Sequence, residues 1–285
     1  MTSYVPLSMV DLFVSATLVV LNGAISFAYG LRLEKTLAIA SVRMVVQLAA
    51  VALVLKFIFA QTSPMWTVLF ASVMAIAAGA EIIMRQENRF ATWRALLMSS
   101  SPAFLAGLMT TFIALAVIQP QPWYAPRILL PLLGMLVGNA MSGVALVLDS
   151  MTSAAIRERS AIEARLALGA PKFVAFEDIL RRCLRTGLMP ILNAMAAAGV
   201  VSLPGMMTGQ ILAGIDPVEA AKYQVLIMFL IAGATAIAVL AGALASVHLL
   251  TDDRHRLRLD RLNMHAKAKS DPKSPAANQK AKDRA

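Results

Sequence analysis

Little in this chain can carry redox or hydrolytic chemistry. Its single cysteine, Cys183, excludes an intrachain disulfide and an iron–sulfur cluster held by this chain alone. The histidines, His248, His255 and His265, fall near the C-terminus at spacings that build no closed zinc site. No G-x-x-x-x-G-K-[ST] phosphate loop occurs, and no Gly is followed by Lys, so that route to bound ATP is missing. No hydrolytic triad stands out either, so the chain is read as a non-enzyme with no cofactor of its own. Charge is scarce: Asp, Glu, Lys and Arg make up 15% of 285 residues, against about a quarter in soluble domains. The first residues, MTSYVPLSMV, lack Lys and Arg, and the apolar run after them is too long for a secretory signal. That segment is expected to remain in the mature protein.

What is present is hydrocarbon. The chain is 59% hydrophobic with a mean hydropathy of +0.70, which makes lipid its main solvent. Runs near the roughly 20 residues needed to cross a bilayer occur at 7–29, 36–60, 64–84, 95–118, 128–148, 187–213 and 223–250. The expected fold is all-α, a polytopic membrane protein of about seven transmembrane helices. Of the 26 Lys and Arg residues, 22 lie in alternate connections and the tail, and cytoplasmic loops hold such an excess. This places the N-terminus outside and the C-terminus inside an inner (plasma) membrane. The net charge of +10 does not signal nucleic acid, because the cations collect between apolar segments and the aromatics are not interleaved with Arg. The outer connections, QTSP, QPQPWYAPR and GIDPVEAAK, are too short to hide a folded domain. The transmembrane domain is drawn at 1–262 and a disordered basic tail at 263–285, where almost nothing apolar is available to bury.

The connection at 149–186, DSMTSAAIRERSAIEARLALGAPKFVAFEDILRRCLRT, is too long and too charged for a simple turn. Ile162 and Leu166, and Ala161, Ala164 and Leu168, recur at helical spacing. Gly169-Ala170-Pro171 then stops that helix, and an amphipathic helix resumes at Lys172 with Phe173, Phe176, Ile179 and Leu180 on one side. Such a bent pair suits docking into a groove of another protein; a helix lying on the bilayer surface has the same pattern.

In the sixth run, SLPGMMTGQILAG, the breakers Pro204, Gly205 and Gly209 accompany Ser202, Thr208 and Gln210. Broken helices at membrane depth survive where freed carbonyls meet protein or water, which suggests a substrate path; a plain kink packed through small residues is the rival reading. Met206 and Met207 are soft metal donors, though most of 17 methionines must serve packing. Asp216 and Glu219 either draw cations or cap the next helix. Ionisable groups inside spans need partners. Arg43, with Gln47 one turn along, is expected to pair with Glu81 as a structural clamp, with Asn22 near the same site. Asn139, Asp149 and Asn193 are read as polar contacts between spans.

The string Glu163-Ala164-Arg165-Leu166-Ala167-Leu168-Gly169-Ala170 resembles the EAA-type coupling loop of ABC permeases. Together with SVRMVVQL (41–48), GNAMSGVALVLD (138–149), IEARLALGAP (162–171) and PILNAMAAAGVVSLPGMMTGQILAGIDPVEAAKYQ (190–224), it is similar to the FetB-type family of ABC permeases, over roughly residues 5–262. That family comprises bacterial proteins linked to iron export and plant relatives linked to aluminium tolerance. Arg165 departs from the broader EAA pattern and matches the FetB-type version. The resemblance implies a permease subunit exporting iron or a related metal and working as a homodimer. It also implies a separate cytosolic ATPase chain that holds ATP and Mg, with Glu163, Ala164, Arg165, Gly169 and Ala170 carrying the coupling. It assigns no metal ligand. An ATP-independent transporter or channel, an ABC permease for a non-metal solute, and a membrane anchor for a cytosolic enzyme are the other readings; a neighbouring phosphate-loop ATPase gene would separate an ABC permease from the ATP-independent transporter and from the anchor.

Overall fold

The computed structural model describes residues 8–60, 64–85, 89–90, 93–252, 254 and 256–263. Ten helices make up nearly all of it: α1 (Met9–Ala28), α2 (Glu34–Phe59), α3 (Pro64–Arg85), α4 (Trp93–Ile118), α5 (Pro126–Arg157), α6 (Arg159–Ala167), α7 (Lys172–Ala175), α8 (Glu177–Ala197), α9 (Gly205–Leu212) and α10 (Pro217–Leu250). Local chemistry fixes several of their ends. Ser8 caps α1 in a reciprocal box with Asp11, whose Oδ2 accepts from the Ser8 amide at 2.8 Å. Pro217 opens α10 behind Asp216, whose carboxylate accepts from the amides of Val218 and Glu219. Asp216 is thus a helix cap, and Glu219 pairs with Lys222 at 2.6 Å.

Six helices are long and apolar enough to cross a membrane: α1, α2, α3, α4 from Ser101, α5 and α10. The chain is a polytopic all-α membrane protein. The run at 187–213 is the exception, because α8 ends at Ala197 and α9 begins only at Gly205. Ala194 O and Ala197 O accept from amides in the break, and Gly199 there has φ +83°.

The direction of α8 follows from the clusters it joins. One cluster gathers Met151 and Ala155 of α5, Ile162 of α6, Phe176, Ile179 and Cys183 around the start of α8, and Val247 and Leu250 of α10. A second, from the other ends of the same helices, gathers Leu132 and Leu136 of α5, Ile191 of α8 and Ile227 and Ile231 of α10. So α8 runs antiparallel to both α5 and α10, and its 21 residues reach about 31 Å at 1.5 Å per residue. That is close to the thickness of a hydrocarbon core. It escapes a hydropathy window because Glu177, Asp178, Arg181, Arg182 and Arg185 load its first turns.

At the first cluster the C-terminal segment folds back after α10. Residues Leu257, Leu259 and Leu262 pack on the cluster, and Leu262–Asn263 (β2) pairs antiparallel with Arg89–Phe90 (β1). Arg261 Nη1 donates to the carbonyl of Leu249 at 2.9 Å, pinning the return. The tail expected to be disordered from about 264 lies outside the described residues, as do His255 and His265.

Candidate functional site

The segment at 149–186 is a folded module rather than a loop. Helix α5 continues through Arg157 without a breaker, so the first residues of the predicted connection extend the fifth span. Helix α6 then turns back on itself. Its Ile162 and Leu166 are buried in the cluster, while Ala164, Arg165 and Leu168 face outward, Leu168 being 88% exposed. The two apolar stripes seen in the sequence therefore have different roles: one anchors the helix and the other is presented.

Gly169 ends α6 with φ +86°. Its amide donates to Leu166 O at 3.0 Å, and that of Ala170 to Arg165 O at 3.1 Å, the two crossed bonds of a Schellman cap. Only glycine takes this left-handed position without strain. Pro171 then opens α7, a shorter element than predicted: the chain bends again at Phe176, which is fully buried. From Glu177 a single helix, α8, joins the second half of the module to the apolar residues that end at Ala197. Phe173 and Val174 remain partly open on the same corner as Leu168.

Ion pairs brace the module. Arg182 Nη2 donates to both carboxylate oxygens of Glu158 at 2.7 Å, and Arg165 Nη2 donates to Asp178 at 2.8 Å. The Arg182 hydrogen bonds hold the Glu158 carboxyl below its ordinary range, and the Arg165 hydrogen bond does the same for Asp178. Glu163 is engaged within its own helix by Arg159 at 2.8 Å. Glu158, Arg165, Asp178 and Arg182 border a hollow of about 320 Å³ between α6 and α8, which Arg181 and Arg185 also line. Cys183 is buried in the first apolar cluster, so it is a packing residue. At the corner, Lys172 Nζ lies 2.8 Å from His248 Nδ1, tying α7 to the end of α10.

The predicted substrate-path residues gather at the opposite end. Gly205 and Gly209 sit inside α9 as ordinary helical residues, and the backbone reversal falls earlier, at Gly199. Met206 packs on the second apolar cluster, which supports its packing role. Thr208 Oγ1 donates back to Pro204 O at 3.2 Å. Ser202 is exposed, Met207 is half-buried, and the Oε1 of Gln210 is buried without a hydrogen-bond partner. Gln224 on α10, 7% exposed, carries another buried oxygen without a partner. A polar residue inside a 34-residue apolar helix was the available signal for it. Among the described residues no group of three or more His, Cys, Asp or Glu side chains gathers to hold a metal ion.

The intramembrane polar residues divide. Arg43 Nη2 of α2 donates to Glu81 of α3, the pairing expected from depth and charge, and both line a second hollow, between α2, α3 and α5, together with Gln47. Asn22 is exposed on α1 and does not line it. Asn139 Nδ2 donates to Met135 O of its own helix at 2.8 Å rather than to another span. Asn193 is exposed on α8.

Comparison with known proteins gives the lineage. The family described as Uncharacterised protein family (UPF0014) matches residues 9–250. A Synechocystis UPF0014 membrane protein, slr1647, is 38% identical over 207 residues, covering 71% of this chain and 78% of that relative. The Escherichia coli K12 protein named "Probable iron export permease protein FetB" is 31% identical over 252 residues, covering 88% of this chain and 95% of the relative. The Arabidopsis thaliana protein ALUMINUM SENSITIVE 3 is 32% identical over 224 residues, covering 78% and 80%. No solved structure matches. With a match that runs from the first helix to the last, the chain belongs to the UPF0014 family.

Proposed function

We propose that this chain is the membrane-spanning subunit of an ABC transporter that exports iron or a related metal, driven by ATP hydrolysed on a separate subunit. The observation that carries this reading is the α6 corner. A helix anchored by Ile162 and Leu166 to the ends of α5, α8 and α10 presents Leu168, Phe173 and Val174 outward. A partner that grips this corner pulls directly on three helices that run the length of the bundle, and an apolar knob at a capped helix end suits a groove in such a partner. The printed name of the Escherichia coli relative supports export of iron.

In this scheme the corner is cytoplasmic, the N-terminus lies outside the inner membrane, and Glu163, Ala164, Arg165, Gly169 and Ala170 form the coupling surface. Nucleotide-driven movement of the partner tilts α5 and α8, and the break at 198–204 changes the side to which the path opens. The path residues are Ser202, Pro204, Gly205, Met206, Met207, Thr208, Gly209 and Gln210. Irregular backbone in a bilayer needs protein or water around it, and Ser202 and Gly205 at the break are exposed in the single chain, as is Asn193. A second copy placed against them would enclose the path, so the working unit is a pair of permease chains.

The test is a Leu168→Cys chain expressed in its native host. Crosslinking is expected to yield an adduct with a phosphate-loop ATPase, and loss of the chain is expected to raise cellular iron. An adduct with no nucleotide-hydrolysing protein, in a strain with unchanged metal content, would overturn both halves of the reading.

A further inference from the structure

The Arg43–Glu81 pair is only part of what lies between α2, α3 and α5. Arg85, one turn beyond Glu81, donates its Nε to Glu81 Oε1 at 3.4 Å and its Nη1 to Ser142 Oγ at 3.5 Å. Two guanidiniums therefore share one carboxylate on the wall of a hollow of about 380 Å³. Among the described residues Glu81 is the only acid lining it. Among the described lining residues two cations face one acid, with Arg43 inside α2 and Arg85 at the end of α3.

The depth makes that excess consequential. Arg43 lies about 13 Å along α2 from Glu34, at 1.5 Å per residue, within a helix whose described neighbours in sequence are almost all apolar. Unbalanced charge at such depth is costly, and ionisable groups there face a partner or a water-filled cavity. A simple clamp needs one arginine and one acid. The second arginine, and the space in front of it, are surplus to a clamp.

That space is built into the sequence. A Cβ at Gly138 of α5 would meet nothing within 4 Å, so the hollow opens directly over a helix backbone. Gln47 adds an amide one turn from Arg43, and Met141 forms an apolar floor. Forked guanidinium donors beside a neutral amide match an oxyanion, and their net charge opposes a bare divalent cation.

We propose that this hollow is a binding site for an oxyanion of the phosphate type, held by Arg43 and Arg85 with Glu81 as the spacer that fixes their forks. The group arrives either as the headgroup of an anionic lipid, with its tails along the exposed apolar face of α2, or as free phosphate from the nearer aqueous side. The site does not depend on the partner ATPase, and it lies apart from the broken-helix path at 198–212.

The experiment uses the purified full-length chain in zwitterionic detergent after exhaustive exchange. Native mass spectrometry with phosphatidylglycerol, against phosphatidylcholine as control, reads the lipid source; equilibrium dialysis with radiolabelled inorganic phosphate reads the free one. Saturable binding in either arm is expected, weakened by about tenfold or more in the Arg43→Gln/Arg85→Gln double variant, which removes both charge-assisted forks. Gly138→Leu, which fills open space in a helix, is expected to block binding while helicity and melting temperature stay at the wild-type level. It decides the matter alone if the double variant fails to fold. No binding in either arm, or binding that Gly138→Leu leaves intact, overturns the proposal.

Discussion

Helices α1 and α5 are equally apolar over their most apolar stretches, yet 6% of that stretch is buried in α1 and 50% in α5. Helix α2 is more apolar still, and none of its most apolar stretch is buried. Apolarity alone decides that each of them leaves water; it does not decide what each one meets. The difference lies in the small residues. In α5, Gly143 comes so close to α8 that a Cβ there would lie 3.1 Å from Gly187 O and 2.7 Å from Val239 Cγ2 of α10. Gly187 mirrors it, with Gly143 O at 3.1 Å. Where lipid removes the hydrophobic drive between helices, such backbone approach is what holds them. The α1–α2 hairpin has no equivalent: a Cβ on Gly23 would find only Leu37, at 3.9 Å. Its own turn is tied by Ser26, whose buried hydroxyl donates to Glu34 at 3.1 Å and accepts from the Leu33 amide.

The sharpest way to break the comparison is a leucine at each glycine. Gly143→Leu has backbone in its way and is expected to cost about 3 kcal/mol or more, beyond the usual range for overpacking, and to remove most folded protein. Gly23→Leu is expected to leave yield and melting temperature unchanged. Size-exclusion profiles and thermal melts in detergent check both, and equal tolerance at the two sites would show that the Gly143–Gly187 contact does not hold the bundle.

The features legible in the sequence were those decided by a few neighbouring atoms or by an energy too large to evade. The Gly169-Ala170-Pro171 bend was legible because a left-handed residue followed by proline leaves the chain one course. Arg43 with Glu81 was legible because a charge in lipid must find a counter-charge, and one acid stood at that depth. Helix ends were not. Charged stretches at 149–157 and 177–186 looked like connection because hydropathy drops there, but they contain no breaker, so α5 and α8 run through them. The break before α9 was assigned to Pro204, Gly205 and Gly209, whereas Gly199 carries the positive φ. Within AAAGVV that glycine reads like any small residue in a packed helix. Asn22 was grouped with Arg43 on depth alone, and depth says nothing about which side of a bundle a helix occupies.

A second test concerns what covers the exposed apolar faces. Val20, near the middle of α1, is 72% exposed, and if lipid is its solvent Val20→Asp costs about 3 kcal/mol of insertion free energy. A glycosylation-tag insertion assay reads the loss directly. Normal insertion would mean that this face meets water or a polar surface instead.

The module offers a gentler probe. Since the folded-state value of Glu158 is lowered by Arg182, the unfolded chain binds the proton more readily. The pair's stabilisation is therefore complete above the ordinary glutamate value near 4.5 and is lost as pH falls through the lower folded value. A partly exposed pair of this kind contributes at most about 1 kcal/mol. Melting temperatures of the wild type are expected to decline below that pH more steeply than those of Glu158→Gln, and parallel curves would show that the pair does not brace the module.

The smallest effect on stability is expected at a side chain that is almost wholly exposed. Leu168 is as open as any residue of α1, at 88%, but it stands at a helix end among Glu163, Arg165 and Lys172, where water is the neighbour. Leu168→Asp should therefore shift the melting temperature by no more than the equivalent of about 0.5 kcal/mol and leave insertion intact, in contrast to Val20→Asp. If the α6 corner is what a partner grips, the same change removes transport and partner capture together, because the knob that fills the groove has become a solvated charge. A Leu168→Asp chain that is stable, inserted and fully active would mean that exposure at this corner serves no partner, and the coupling surface would have to be sought elsewhere on α5 and α8.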